Sequence, residues 1–171
     1  MGTWHGTCDA VANSDNTESV LYHSSQAVYL ANGSVTSALK YYADAACTTL
    51  RYTMQLAASI KVGGASTVVP GAFEIDFAPS KIQITPVLAS SVASFTEISS
   101  NRSEAACKNF TFTAGKATDV TACRAVAKKY SVFKISDGKL YGGDCSGKEA
   151  CSNEADRATT LDNDSILTKV K

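Results

Sequence analysis

The sequence is short of imidazoles, of long apolar runs and of charge of one sign. His5 and His23 are the only histidines in 171 residues, which leaves base catalysis and metal ligation few candidates. No run of 18 apolar residues occurs, so no segment reads as a transmembrane helix. Sixteen Lys and Arg balance 16 Asp and Glu, and no block of like charge forms a tail. A nucleic-acid binder would carry a basic stripe, so nucleic acid is excluded as a partner. No Gly-x-Ser-x-Gly elbow and no Gly-x-x-x-x-Gly-Lys phosphate loop is present. The start, Met-Gly-Thr-Trp, has no charged and apolar leader. A secreted protein is made with such a leader, so the chain is expected to be a mature form with Met1 as an added start.

Six cysteines are present, at Cys8, Cys47, Cys107, Cys123, Cys145 and Cys151. An even count in a modest polar chain reads as three disulfides, which places the protein outside the cytoplasm, secreted or periplasmic. The rival is a metal site, but the tightest spacing, Cys145 to Cys151, is wider than the close pairs zinc sites use. Neither a metal nor any cofactor is expected. Six cysteines allow fifteen pairings. The preferred set joins Cys8 to Cys47, Cys107 to Cys123, and Cys145 to Cys151. Loop closure in the unfolded chain assigns these about 4, 3 and 2 kcal/mol respectively. The last bond is expected only to tidy an exposed polar loop, and so to matter least.

Hydrophobicity alternates with a period of two. Leu50, Tyr52, Met54, Leu56, Ala58, Ile60 and Val62 interleave with more polar residues, the pattern of a long half-buried strand. Ala31-Asn32-Gly33-Ser34 between runs 20–30 and 35–42 reads as a hairpin turn. A strand is expected over 66–77, kinked at Pro70-Gly71, then a turn at Ala78-Pro79-Ser80 and a strand over 81–87. Further strands are expected at 91–98, at Phe110-Thr111-Phe112, and at 131–135 paired with Leu140-Tyr141 across an Asp137-Gly138 turn. A loop or single helical turn is expected over 99–106 and a short helix over 124–128. A single domain over 1–171 would hold a polar loop at 144–158 and a closing strand within 159–171. About nine strands with frequent turns give an all-β barrel or sandwich.

Several short pieces recur in a known order. Gly2-Thr3-Trp4 and Cys8-Asp9 come first, Gly-x-Trp at a first strand being a lipocalin-type signal. Then follow 41–47 (Tyr-Tyr-Ala-Asp-Ala-Ala-Cys), Tyr52-Thr53-Met54, Val69-Pro70-Gly71-Ala72, Asp76 and Thr85-Pro86. Cys107, Gly115, Asp119-Val120, Cys123 and Leu140-Tyr141-Gly142 complete the set. Over residues 2–143 the chain resembles the domain of the adenomatosis polyposis coli down-regulated family of Wnt antagonists. Animal members carry two such domains and a membrane anchor, so this chain reads as a single-domain, bacterial relative. The resemblance implies a lipocalin-like, partly open antiparallel β-barrel stapled by disulfides, with an apolar hollow for a lipid chain. Its framework positions here are Trp4, Cys8, Cys47, Cys107 and Cys123.

The residues themselves offer little catalytic chemistry, and no enzyme activity is expected. Strand alternation turns His5 and His23 outward into solvent; a hydrolase would have to use one of them. Glu74 and Asp76 share a strand face, as a glycosidase pair would, but two carboxylates two residues apart are ordinarily a polar face. The more suggestive set is apolar: Tyr22, Leu39, Tyr41, Tyr52, Met54, Leu56, Phe73, Phe77 and Phe95. These are expected either to fill the core or to line a cavity in a half-barrel, since eight strands enclose just enough space for side chains or one small ligand. The expected partner is a fatty-acid-like or other apolar small molecule, or the lipid of a lipidated protein. Lys40, Arg51 or Lys61 would hold a charged head group. The alternative is a disulfide-stapled interaction module with a filled core.

Overall fold

The computed structural model describes residues 2–11, 21–108, 110–123, 127–145 and 151–170. Ten strands form one antiparallel sheet: β1 (Gly2–Gly6), β2 (Asp9–Val11), β3 (Leu21–Tyr29), β4 (Ser34–Tyr42), β5 (Leu50–Ala65), β6 (Phe73–Pro86), β7 (Thr118–Asp119), β8 (Lys129–Ser136), β9 (Lys139–Gly142) and β10 (Leu167–Lys169). The strand order β1-β10-β9-β8-β6-β5-β4-β3 closes on itself because β1 also pairs with β3, giving an eight-stranded barrel. The expected closing strand is therefore β10, which pairs with β1 on one side and β9 on the other.

The ring closes over only part of the sheet. β8 meets β6 through Phe73–Phe77, whereas β6 runs on to Pro86. β3 to β6 thus project beyond the ring as a curved sheet, edged by β2 and β7. The register slips where the projection begins: Ala57 faces Lys81 but Ala58 faces Pro79, leaving Ser80 extra. Ser80 Oγ donates to the Ala57 carbonyl. The turn expected at Ala78-Pro79-Ser80 is this bulge inside one continuous strand. Proline, lacking an N–H, is tolerated at bulges.

Turn chemistry fits the two hairpins. Asp137 and Gly138 both have positive φ (53° and 72°), the two-residue turn that matches strand twist. Gly33 (φ 78°) turns β3 into β4, and a Cβ there would lie 2.9 Å from the Ile60 carbonyl oxygen.

Three other expectations are corrected. Residues 66–72 are a loop, and the strand starts only at Phe73. Residues 91–98 belong to a helix, α1 (Ala89–Ser100). Val92, Phe95 and Ser99, three and four apart, face the sheet, so the helical period overrides the weak alternation. Phe110-Thr111-Phe112 forms no strand; Phe112 is buried and Phe110 packs beside it. Of the short helix expected over 124–128, residues 124–126 lie outside the described residues; a single 3-10 turn occupies Thr121–Cys123.

The three disulfides are Cys8–Cys47, Cys107–Cys123 and Cys145–Cys151, the preferred pairing. Their burial differs from expectation. Cys151 has no exposed surface and packs with Val69, Ala72, Val132 and Ala158 on the outside of the barrel. Arg157 fixes that covering segment. Its guanidinium donates to the carbonyls of Ile75 and Ser131 at 3.0 Å and pairs with Asp76 at 3.0 Å and Glu74 at 3.7 Å.

Candidate functional site

Antiparallel pairing places Trp4, Ala27, Tyr29, Val35, Ala58, Ile60, Val62, Ile75 and Leu140 on the face that turns into the barrel. Trp4, the only tryptophan, is buried in the ring. Toward the β3–β4 turn the ring opens into a cavity of about 400 Å³. Trp4, Tyr29, Ile60 and Val62 line one side; Ile75, Phe133, Ile135 and Leu140 line the other; Leu30, Ala31 and Gly33 border it. Among the described residues no charged side chain belongs to this lining, and burial raises the Tyr29 hydroxyl above its ordinary pKa, so it stays neutral. The volume lies within the range of small-molecule sites. The arrangement can desolvate an apolar guest and offers it one phenol and one indole as polar handles.

Cationic groups stand at the same opening. Lys61 precedes Val62, Lys139 closes the β8–β9 turn, and Lys169 sits opposite Trp4 in the register, with its Cε near Gly2. Lys61 alone of the three head-group candidates is here; Lys40 pairs with Thr53 in the projecting half, and Arg51 is the second residue of β5 there.

The nine apolar residues singled out in the sequence scatter. Tyr52, Met54, Leu56 and Phe95 pack with buried Ile82, Ile84, Phe112 and Val120 under α1. Tyr41 stacks on Tyr52 at 4.4 Å, and Leu39 faces Met54. Tyr22, paired with Tyr42, lies on the opposite face from Tyr41. Phe77 faces Ile60 across the strand pair. Phe73 does not line the cavity but stands 47% exposed with its ring 6.0 Å from that of the lining residue Phe133. None of the nine lines the cavity, and all eleven lining residues are absent from that set. Of these, Ile60, Val62 and Ile75 carry the same alternation one end further along, and the signal that marks them is their position near Gly63 and the β3–β4 turn.

The polar candidates resolve differently. His5 is exposed, as alternation implies. His23 is not the solvated residue expected: it shares a face with Tyr41, 6.0 Å away, and its Nδ1 is buried without a partner among the described residues. The two histidines lie on opposite faces of the sheet, so they do not form a pair. Glu74 and Asp76 are turned to Arg157, and Lys128 also binds Asp76 at 2.9 Å. The hydrogen bond from Lys128, with help from Arg157, holds the Asp76 carboxyl below its usual range. These carboxylates act as a clasp for residues 151–158. A second, more polar groove of about 370 Å³ lies on the outer face, where Gln26, Gln55 and Gln83 follow one another across the strands.

Three disulfides are the mark of an oxidising compartment. Among the described residues no helix is long and apolar enough to cross a membrane. The family model described as adenomatosis polyposis coli down-regulated 1 matches residues 24–150. The bacterial origin read from the single domain is not borne out. No curated protein matches the chain.

Proposed function

The chain belongs to the adenomatosis polyposis coli down-regulated 1 family, and on that premise we propose that it is an extracellular protein that binds an acyl chain or similar apolar small molecule in the barrel-mouth cavity. The uncharged cavity between Trp4 and Phe133 carries this reading. Burial contributes about 0.8 kcal/mol per methylene, so about ten methylenes give roughly 8 kcal/mol gross. Association subtracts at least about 4 kcal/mol. What remains, about 4 kcal/mol, corresponds to roughly millimolar affinity. Tighter binding therefore needs the head group, and Lys61, Lys139 and Lys169 stand where a carboxylate or phosphate would emerge. The lipid of a lipidated protein would enter by the same route.

Native mass spectrometry of the purified protein, followed by organic extraction, tests this. An adduct that releases fatty acid or phospholipid is expected. An adduct-free protein that also fails to take up added fatty acid would contradict it. The outer groove supports a second reading, a stapled module that meets its partner through Gln26, Gln55, Lys81 and Gln83.

A further inference from the structure

Eight large apolar side chains are conspicuously exposed among the described residues. Two, Val87 and Ile98, belong to the projecting half. The other six are Leu30, Val62, Val68, Phe73, Ile135 and Val170, between 44% and 60% exposed. All six sit at one end: on the β3–β4 turn, the facing ends of β5 and β6 with their loop, the β8–β9 hairpin, and the chain after β10, where the Val170 N–H binds the Thr3 carbonyl. They ring the cavity mouth instead of forming a flat patch. Around them stand Lys61, Lys134, Lys139 and Lys169, the Lys134 ammonium donating to the Pro70 carbonyl. The acids at this end among the described residues are Asp137, Glu74 and Asp76. Asp76 lies opposite Lys61 in the register, and Glu74 and Asp76 are both turned to Arg157, with Lys128 also on Asp76.

We propose that the barrel mouth docks on an anionic lipid surface, with the six apolar side chains entering the head-group layer and the lysines facing lipid phosphates. Exposed apolar tips ringed by lysines are the composition of an interfacial anchor, which gains from buried apolar area and from attraction to anionic lipid together. Charge chooses this occupant over a second copy: two mouths face to face would bring two lysine collars together. A bilayer is also fluid and conforms to a ring with a hole at its centre. Docking deepens the acyl-binding reading, since a chain could then pass from bilayer to cavity without crossing water.

The test uses vesicles of phosphatidylcholine alone and of phosphatidylcholine mixed with phosphatidylserine, in a flotation assay. The protein is expected to float with the anionic vesicles and to be released by salt, because surface attraction is screened within about 10 Å at 0.1 M. Val68→Ser with Val170→Ser, neither of which lines the cavity, should weaken flotation roughly tenfold. Lys61→Glu with Lys139→Glu should weaken flotation with anionic vesicles only, by about thirtyfold or more. A wild-type protein that stays unbound overturns the docking, as does flotation unchanged in both variants. Sedimentation showing a dimer dissolved by Val68→Ser with Val170→Ser would assign the rim to a second copy and overturn it as well. Uptake of soluble fatty acid, measured in parallel, separates the two readings: flotation without uptake keeps docking and removes the cavity, and uptake without flotation does the reverse.

Discussion

In the projecting half of the sheet, Ile82 and Ile84 lie under Phe95, Phe112 and Val120. In the ring, Val62 and Ile135 continue the same face but stand 51% and 52% exposed. Both regions have the same alternation and the same apolar chemistry. They differ in whether a segment of chain returns over the face. After Pro86 the chain folds back as α1 and the segment that follows, and Ser99 locks that return: its hydroxyl donates to the Cys107 carbonyl and accepts from the Phe110 N–H, both at 3.0 Å. Cys107–Cys123 ties the same segment to itself. At the mouth, the turns at Gly33 and Asp137-Gly138 are too short to cover anything. Periodicity therefore tells which face is dry, and the connections decide which part of it is filled.

That contrast can be broken by substitution. Phe112→Ala removes a ring from the filled half and should cost about 3–5 kcal/mol in urea unfolding, against less than about 1 kcal/mol for Ile135→Ala. Equal losses would mean the two halves are packed alike. The disulfides sharpen the comparison next. Loop closure alone ranks Cys8–Cys47 at about 4 kcal/mol over Cys145–Cys151 at about 2 kcal/mol. Cys151, however, is fully buried, so losing its sulfur also opens a cavity. Melting temperatures of the two double-alanine variants should therefore lie closer than loop length predicts; a gap as wide as that of the loops would contradict the buried role. Arg157→Met should cost about 2 kcal/mol, less than a fully buried pair because Glu74 is partly exposed. Arg157→Lys, which keeps the charge and loses the fork, should fall between.

Acid gives the smallest effect. Asp44 accepts the Thr48 and Thr49 amides in the β4–β5 loop of the filled end, and these bonds lower its carboxyl to about 2. A depressed carboxyl contributes stability that is present above its unfolded value, 3.8, and is lost as pH falls through about 2. Amide exchange at Thr48 and Thr49, corrected for intrinsic rates, should quicken across that window and be insensitive to pH in Asp44→Asn. Exchange in the Asp137-Gly138 hairpin should not follow it.

Much of the fold was legible because alternation and turn residues act locally. The hairpin at Asn32-Gly33, the long β5 and the closing strand all follow from neighbours in sequence. The helix is not legible in the sequence because Val92 and Phe95 show their period over too few residues. Pro79 and Ser80 looked like a turn because proline punctuates both turns and bulges, and only the partner strand distinguishes them. The site was less legible. Tyr52, Met54 and Phe95 have the composition of a cavity lining, yet residues far along the chain, Phe112 and Val120, cover them. Alternation alone says that Tyr22 and His23 cannot both face in, and it favours the tyrosine; the register turns Tyr22 out instead.

Trp4 allows the hollow end to be probed directly, since it is the only tryptophan and lines the cavity. Titration with a fatty acid brominated along its chain should quench Trp4 fluorescence saturably, because bromine quenches on contact. In Val62→Phe, which narrows the entrance, the same titration should need about tenfold more ligand. A folded protein whose Trp4 emission is untouched by the brominated chain would contradict a guest inside the barrel.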